Sequence, residues 1–297
     1  MLNGSKMFPN LKKICLFVIA HDRPKILQLS LSSLIDNEIE KQIIILVDNP
    51  QLGVAGVISD FIKNNPSIDI CCLTNPRIGG NTLSAIYQQI YNSECDIAGI
   101  IETDYVFRPQ FLEEVIDVFA KFKSTLSIAG YNHPDTRNPK LSFVDFPNLT
   151  KKFFERDVSN RSLMYSPFVS IINQKQYLLQ GISNHTGCHF LSGSVFRSIF
   201  ENSLDKFLSL ITDLASPVGF CDGRLSSTYQ IYWEDWCIKN NIDIFKNFPI
   251  LDICDYSIGN HYGGGGICVG GLDSEMVDWI KSPTWTDQHL IVERKKI

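Results

Sequence analysis

The sequence lacks the features that define several large classes of protein. Its apolar runs fall short of the ~20 residues that a membrane-spanning helix needs, so no transmembrane segment is expected. A formal net charge of -5 gives no basic footprint for nucleic acid, which argues against a nucleic-acid partner. The nine cysteines include no C-x-x-C pair, and their scattered spacing does not form a disulfide framework. We therefore expect a soluble, cytoplasmic protein with reduced thiols, and peripheral association with a membrane is left open.

Glycine-rich nucleotide-binding motifs and a signal peptide are also missing from the first hundred residues. Gly79 and Gly80 are adjacent, but neither the glycine spacing of a dinucleotide fingerprint nor the Lys-Ser/Thr of a P-loop accompanies them. The apolar run Ile14–Ala20 is short for a signal peptide and leads into His21–Pro24 without a cleavage site. We interpret this run as a first β-strand.

The first half of the chain instead shows a regular alternation of strand and helix patterns. Apolar, β-branched runs predict strands at Ile14–Ala20, Gln42–Val47, Ile68–Thr74, Asp96–Ile101 and Leu126–Ala129. In the stretches between them, apolar residues recur every three or four positions, which predicts helices. Such alternation predicts an α/β fold with a mostly parallel sheet and helices on both faces. A length of 297 residues allows one large domain or two small ones. The polar and aromatic stretch 132–157 predicts a long loop over the site.

Charged residues follow three of the predicted strands at one edge of the sheet. Asp22 and Arg23 follow the first strand, Asp48 follows the second, and Glu102 and Asp104 follow the fourth. This edge is where open α/β sheets bind ligands. Carboxylates there suit Mg²⁺ or Mn²⁺, an arginine suits a phosphate or a nucleobase face, and Asp48 suits a base or a ribose. Each residue alone also fits a cap or a turn, but the shared edge favours a functional site.

Two groups in the second half of the sequence also suit chemistry. Glu234 and Asp235 lie between Trp233 and Trp236, where desolvation by the indole rings would raise a carboxylate pKa and produce a general base. The alternative is an amphipathic helix with inward tryptophans and solvated acids. His261 precedes a run of four glycines, which fits either a metal or phosphate ligand in a closing loop or a plain flexible turn.

Three motifs together resemble a known family. The segments Val18–Arg23, Glu102–Asp104 and Trp233–Trp236 are similar to those of GT-A-fold glycosyltransferases. The nearest likeness is to the N-acetylglucosaminyltransferase I group and related inverting, nucleotide-sugar-dependent enzymes. The resemblance implies a GT-A-like, Rossmann-like sheet flanked by helices in one large domain. Residues 13–131 would form the nucleotide-sugar-binding half, and residues 132–297 the half that binds the acceptor and supplies the base.

The resemblance also implies roles for individual residues on the donor side. Arg23, Asp48, Arg77 and Glu102 would bind the nucleotide-sugar, with Asp48 on the base and Glu102 near the ribose or a metal-bound water. Asp104 would bind Mn²⁺ or Mg²⁺ at the diphosphate as well as contacting the donor.

On the acceptor side, the resemblance makes Asp235, with Glu234 beside it, the base that deprotonates the acceptor hydroxyl. It also implies that His261 assists at the donor, as a further metal ligand or as a contact to the diphosphate. The middle position of the acid motif departs from the family, because it is Thr103 rather than an acid.

These observations lead to one expected function and two alternatives. We expect a metal-dependent, inverting transferase that moves a hexose or N-acetylhexosamine from a UDP-sugar to a glycan or other hydroxyl-bearing acceptor. A sugar-nucleotide nucleotidyltransferase is disfavoured, because the first strand is followed by His21–Pro24 and not by a glycine-rich loop with Arg and Lys. A catalytically degenerate nucleotide- or carbohydrate-binding module stays open because of Thr103.

Overall fold

A computed structural model describes the chain at residues 13–20, 24–35, 39–48, 53–75, 80–103, 105–107, 110–129, 168–182, 188–214, 222–244, 246–253 and 259–261. The predicted loop 132–157 lies outside these ranges.

The described elements alternate between strands and helices up to residue 129. The strands are β1 Ile14–Ala20, β2 Gln42–Asp48, β3 Asp69–Asn75, β4 Ile97–Glu102, β5 Tyr105–Phe107, β6 Ser127–Ala129, β7 Phe168–Ile172, β8 Lys175–Ile182, β9 Cys188–Ser192, β10 Ile250–Ile253 and β11 Gly259–His261. The helices are α1 Pro24–Ile35, α2 Val54–Asn64, α3 Gly80–Asn92, α4 Phe111–Lys121, α5 Gly193–Phe200, α6 Leu204–Leu214 and α7 Asp222–Lys239. None of these described helices is long and apolar enough to cross a bilayer.

Nine of the described strands form one sheet, in the order β3-β2-β1-β4-β9-β6-β10-β8-β7. Strands β3, β2, β1 and β4 are mutually parallel. β9 is antiparallel to both of its neighbours, so β6 and its parallel neighbour β10 run in the direction of β4. β8 is antiparallel to β10 and to β7, and β7 therefore shares the common direction. The prediction of a mostly parallel, GT-A-like sheet is confirmed.

The strand ends lie along two opposite sides of the sheet, and we call each of these sides an edge. We call the edge where β1, β2, β3, β4, β6 and β10 end the carboxyl edge, and the opposite one the amino edge. The second half of the chain contributes β7 to β10 to the same sheet as the first half. The two predicted halves therefore share one sheet.

Helices cover both faces of the sheet, because side chains alternate along each strand. Leu16 and Val18 of β1 belong to a core cluster that also contains residues of α1, α2 and α4. Cys15 and Phe17 belong to a second cluster, which contains residues of α3, α5, α6 and α7. The continuous apolar runs of the sequence arise from this burial on both faces.

A second, two-stranded sheet pairs β5 with β11 in antiparallel register. The sequence analysis did not predict it, since both strands are three residues long and are separated by more than half of the chain. This pair brings the end of the described chain back to the segment that follows β4.

Candidate functional site

The ends of β2 and β4 lie on either side of β1 at the carboxyl edge. The strand register places Val47 beside Ala20, and Glu102 beside Ile19. Asp48 and Glu102 are the last residues of their strands. Neighbouring strands are about 4.8 Å apart, and Asp48 stands two residues further along the strand direction than Glu102. The two backbone positions are therefore roughly 12 Å apart, with the end of β1 between them.

Three of the predicted site residues, Arg23, Arg77 and Asp104, lie outside the described residues. The described residues that precede them, Ala20, Asn75 and Thr103, all stand at the carboxyl edge.

Thr103 holds the end of β4 against β1. Its side chain is 7% exposed, and its Oγ1 donates a hydrogen bond to the carbonyl oxygen of Ile19 at 2.5 Å. A carboxylate at this position would place a second acceptor against that carbonyl, which is unfavourable. This hydrogen bond to β1 therefore explains why a threonine stands in the middle of the acid motif.

Glu102 is half-buried and lies close enough to Cys188, the first residue of β9, to affect its ionisation. The pKa of the Cys188 thiol is raised well above its usual value, first by burial and second by the charge of Glu102. The thiol consequently stays protonated and uncharged beside the carboxylate.

The segment that follows Asp104 is fixed by its neighbours. In β5, the backbone N–H of Phe107 donates to Ser33 Oγ of α1 at 3.0 Å. The ring of Phe107 stacks on that of Phe111 with 4.2 Å between centroids. Tyr105 is fully buried.

The pairing of β5 with β11 places the backbone of His261 beside the segment that follows the acid motif. His261 lies opposite Tyr105, the residue that directly follows Asp104. The backbone of His261 therefore belongs to the same corner of the carboxyl edge as the end of the acid motif. Within the ranges that the structure describes, no three His, Cys, Asp or Glu side chains form a metal-binding group.

The tryptophans around Glu234 and Asp235 pack near the amino edge. Trp233 is 2% exposed, and its Nε1 donates to the carbonyl of Ser124, which precedes β6, at 2.7 Å. Trp236 Nε1 donates to Ser198 Oγ of α5 at 2.9 Å.

The structure does not bring the Glu234–Asp235 pair to the carboxyl edge. Asp235 is exposed, and Glu234 Oε1 accepts a hydrogen bond from Gln230 Nε2 of the same helix at 2.8 Å. This arrangement corresponds to the alternative interpretation, with an inward tryptophan and a solvated acid. A base role for Asp235 or Glu234 stays a prediction from the sequence, and the position of the pair in α7 does not support it.

The N-terminal end of α7 lies nearer the carboxyl edge than its tryptophans do. The ring of Tyr229 lies 6.0 Å from that of Tyr87, and Tyr87 Oη lies 3.4 Å from His189 Nε2. His189 pairs with Ala129, the last residue of β6. Asp222 begins α7 seven residues before Tyr229, which at 1.5 Å per residue is on the order of 10 Å nearer the carboxyl edge. Sequence reasoning missed Asp222 because it concentrated on the tryptophan-flanked pair.

Tyr87, His189 and Tyr229 form a buried polar group beneath the carboxyl edge. Burial lowers the pKa of His189 to about 3, so its imidazole is neutral at physiological pH. Burial also raises the pKa of Tyr229 well above its usual value, so the phenol stays protonated. This group joins β9 to α3 and α7, two helices that begin at the carboxyl edge.

Comparison with known proteins gives one family match. The family model described as glycosyl transferase family 2 matches residues 15–200, which is more than half of the chain and runs from β1 to the end of α5. The match includes the ends of β1, β2 and β4. No curated protein sequence shows significant similarity to the chain.

Several solved structures are similar at low identity. The mannosyltransferase PcManGT from Pyrobaculum calidifontis, in complex with GDP-Man and Mn²⁺, is 9% identical over 64% of this chain and 46% of its own, with a TM-score of 0.43. S. aureus TarS 1-349 is 10% identical over 69% and 56%, with a TM-score of 0.40. Glucosyl-3-phosphoglycerate synthase from Mycobacterium tuberculosis, in complex with Mn²⁺, UDP and phosphoglyceric acid, is 11% identical over 68% and 67%, with a TM-score of 0.38. This chain thus spans about half of the length of the first two proteins.

Proposed function

We propose that this chain, which belongs to glycosyl transferase family 2, transfers a sugar from a nucleotide diphosphate sugar to an acceptor hydroxyl. The observation that carries the proposal is the convergence of Asp48 and Glu102 on the two sides of β1, within the part of the chain that matches the family. The sugar is a hexose or N-acetylhexosamine, and the donor nucleotide is UDP.

The donor would bind across the ends of β1, β2 and β3. Asp48 accepts hydrogen bonds from the base, and Glu102 binds the ribose. Arg23 and Arg77 neutralise the diphosphate, since a guanidinium makes paired, charge-assisted hydrogen bonds to phosphate oxygens. The register of the four parallel strands supports this arrangement, because it brings their ends to one edge.

The residues also fit a divalent cation. Asp104 and His261 would hold it, and the pairing of His261 with Tyr105 supports their proximity. A carboxylate together with an imidazole suits Mn²⁺ better than Mg²⁺, which prefers oxygen ligands alone. When bound, such an ion acts as a Lewis acid that offsets the charge of the leaving diphosphate.

Inversion requires a base on the face of the sugar opposite the leaving group. Among the carboxylates of α7, Asp222 is the one that begins the helix at the carboxyl edge, whereas Asp235 lies toward the amino edge. We therefore assign the base to Asp222 and treat Asp235 as a matched control on the same helix.

The bond from Thr103 to Ile19 weakens the case for a degenerate binding module. That alternative depended on the missing middle acid, and the structure gives Thr103 a packing role at this position. Turnover still separates the two functions, because a binding module would bind the donor without consuming it.

The proposal is tested with a panel of nucleotide-sugars, in thermal-shift and donor-hydrolysis assays with Mn²⁺ or with EDTA. A UDP-sugar with Mn²⁺ is expected to raise the melting temperature, because a ligand at 100 times its Kd stabilises the native state by about 2.7 kcal/mol. Asp104→Ala should remove the Mn²⁺-dependent part of the shift and the hydrolysis, while Asp235→Asn should keep both. The absence of any shift with every donor would contradict the proposal. Pyrophosphate release from a nucleoside triphosphate and a sugar phosphate would indicate a nucleotidyltransferase instead.

A further inference from the structure

Strand β7 is the outermost strand at one side of the nine-stranded sheet. Among the described strands, β8 is its one neighbour. The side chains of β7 alternate between two faces. Ser170 and Ile172 are buried, and Ile172 belongs to the core cluster that contains residues of α4. Val169 and Ile171 project from the opposite face and are 51% and 68% exposed. The strand therefore presents two large apolar side chains to water at the limit of the sheet.

The turn between β7 and β8 determines which backbone groups of β7 face away from β8. Its two residues are Asn173 and Gln174, whose φ angles of 50° and 66° are those of a type I′ turn. The residues that flank such a turn form a hydrogen-bonded pair, and pairs with and without hydrogen bonds then alternate along the two strands. Val169 and Ile171 fall at positions without hydrogen bonds to β8. Their N–H and C=O groups consequently point outward, to the side that we call the free side of β7.

The free side carries a positive charge next to these backbone groups. Lys121 Nζ, at the end of α4, donates a hydrogen bond to the carbonyl oxygen of Ile171 at 3.2 Å, in agreement with an outward carbonyl. In the part of the chain that the structure describes, Lys121 has no carboxylate partner, whereas Lys175 pairs with Glu114. Within the same ranges, the N–H groups of Val169 and Ile171 have no acceptor. Backbone donors, apolar side chains and an unneutralised ammonium group therefore occur together.

Polar contacts fix the β7–β8 hairpin to α4. Tyr177 Oη and Asn173 Nδ2 donate to the two carboxylate oxygens of Asp117, at 2.6 and 2.8 Å. Lys175 Nζ donates to the buried Glu114, one turn earlier in the same helix. The free side is thus held in place before any partner arrives, which reduces the cost of binding.

We propose that the free side of β7 binds an extended, acidic polypeptide segment, which joins the sheet as an additional strand. The backbone of the segment would exchange hydrogen bonds with Val169 and Ile171, as in other cases where a peptide adds to an exposed sheet. Every second side chain of the segment would pack on these two apolar side chains, and a carboxylate would pair with Lys121. The site is independent of the glycosyltransferase activity.

A second copy of this chain fits the free side less well, because of Lys121. Two antiparallel β7 strands, with Val169 of one copy opposite Ile171 of the other, would be related by a two-fold axis beside Ser170. Each Lys121 contacts its own Ile171, so the axis would bring the two ammonium groups close together, and like charges on adjacent strands are destabilising. Lysine at an outermost strand is one way in which proteins prevent such pairing. An acidic strand gains an ion pair at the same position.

The test measures the binding of synthetic peptides to the native full chain by fluorescence anisotropy. One fluorescein-labelled peptide alternates valine and glutamate, a second alternates valine and lysine, and both are longer than the five residues of β7. The acidic peptide is expected to bind, and the basic peptide to bind roughly tenfold more weakly, because it replaces an attraction at Lys121 by a repulsion. An acidic peptide with methylated backbone nitrogens should not bind, because it lacks the donors that strand addition needs.

Hydrogen exchange of the wild-type protein locates the bound peptide. With the acidic peptide present, the amide protons of Val169 and Ile171 should exchange more slowly. The amide protons of β3, the outermost strand at the other side of the sheet, provide the internal control and should exchange at an unchanged rate.

Two lysine variants test the charge at the free side. Lys121→Gln should weaken binding of the acidic peptide by about fivefold, the upper value for one exposed ion pair. Lys63→Gln is the matched control, because Lys63 is the basic residue in the last turn of α2, as Lys121 is in the last turn of α4. Since α2 lies between β2 and β3 in the chain, at the other side of the sheet, this variant should bind as the wild type does.

A third variant tests the apolar part of the free side. Ile171→Lys, a change at an exposed position, should abolish binding of the acidic peptide while the circular dichroism spectrum is retained. Failure of the acidic peptide to bind the wild type would overturn the proposal, as would equal affinity for the basic peptide or unchanged exchange at Val169 and Ile171. A dimer of the free chain in sedimentation that Ile171→Lys converts to a monomer would assign the free side to a second copy instead. The wild-type measurements decide even if a variant fails to fold.

Discussion

Thr103 shows how one side chain fixes the geometry of the carboxyl edge. Its buried hydroxyl joins the end of β4 to the carbonyl oxygen of Ile19, the second-last residue of β1. The preceding residue, Glu102, is half-buried and is the last residue of β4. An edge held in this way is prepared for a ligand before the ligand arrives, which reduces the cost of binding.

Thr103→Val tests this role with little change in volume. The variant leaves the carbonyl of Ile19 without its donor, and the free energy of unfolding should fall by about 1–3 kcal/mol. The measurement is urea denaturation followed by circular dichroism. Thr103→Ser keeps the hydroxyl and should lose clearly less stability than the valine variant. Equal stability of wild type and Thr103→Val would show that the bond contributes nothing.

At the residue scale, the sequence predicted which residues lie at the carboxyl edge, but not the contacts that hold them there. Asp48 and Glu102 fall at strand ends because apolar runs stop at them, and the stop of a run is visible in the sequence. Their roles toward a donor stay predictions. The inward position of Thr103 was not predictable, because it depends on a carbonyl 84 residues away along the chain.

At the scale of elements, the direction of α7 decides which carboxylate can reach the candidate site. The helix spans Asp222–Lys239, and Trp233 anchors its middle to Ser124 near the amino edge. Tyr229, one turn earlier, packs on Tyr87 nearer the carboxyl edge. Periodicity predicts a helix here, but it does not say which end of that helix meets which edge of the sheet.

Paired variants on α7 test this orientation. Asp222→Asn should reduce sugar transfer by about 10²–10⁴-fold, which is the range for loss of a general base. Asp235→Asn, a substitution of an exposed residue, should change the free energy of unfolding by less than about 0.5 kcal/mol and leave transfer near the wild-type rate. Kinetics with the donor identified in the nucleotide-sugar screen provide the measurement. The reverse pattern, with loss of transfer in Asp235→Asn alone, would restore the assignment made from the sequence.

The pairing of β5 with β11 illustrates what sequence patterns leave out at this scale. Each strand has three residues, too few for a recognisable alternation, and the pairing joins positions near 106 and 260. The long strands β1 to β4 were predictable, because burial on both faces makes each of them a continuous apolar run. Short strands depend on their partners, and no local signal identifies those.

At the scale of the whole molecule, the buried polar group around His189 links the sheet to the α3 face. His189 pairs through its backbone with β4 and β6, and its ring meets Tyr87 of α3. Below about pH 6.5 the ring stays neutral only in the folded protein, because an exposed histidine has a pKa of about 6.5. Folding stability must therefore depend on pH through this residue.

The sign of the effect follows from the depressed pKa. Above about pH 6.5 the imidazole is neutral in both states, and its contribution to stability is fully present. As the pH falls below 6.5, the unfolded chain binds a proton that the folded chain does not bind until about pH 3. The free energy of unfolding should therefore decrease by roughly 1.4 kcal/mol per pH unit on account of His189. His189→Gln retains a hydrogen-bonding group but does not titrate. Between pH 7.5 and 4.5, its free energy of unfolding, measured by urea denaturation, should fall by roughly 2–3 kcal/mol less than that of the wild type. Parallel pH profiles for the two proteins would contradict a buried, neutral His189, whatever their absolute stabilities.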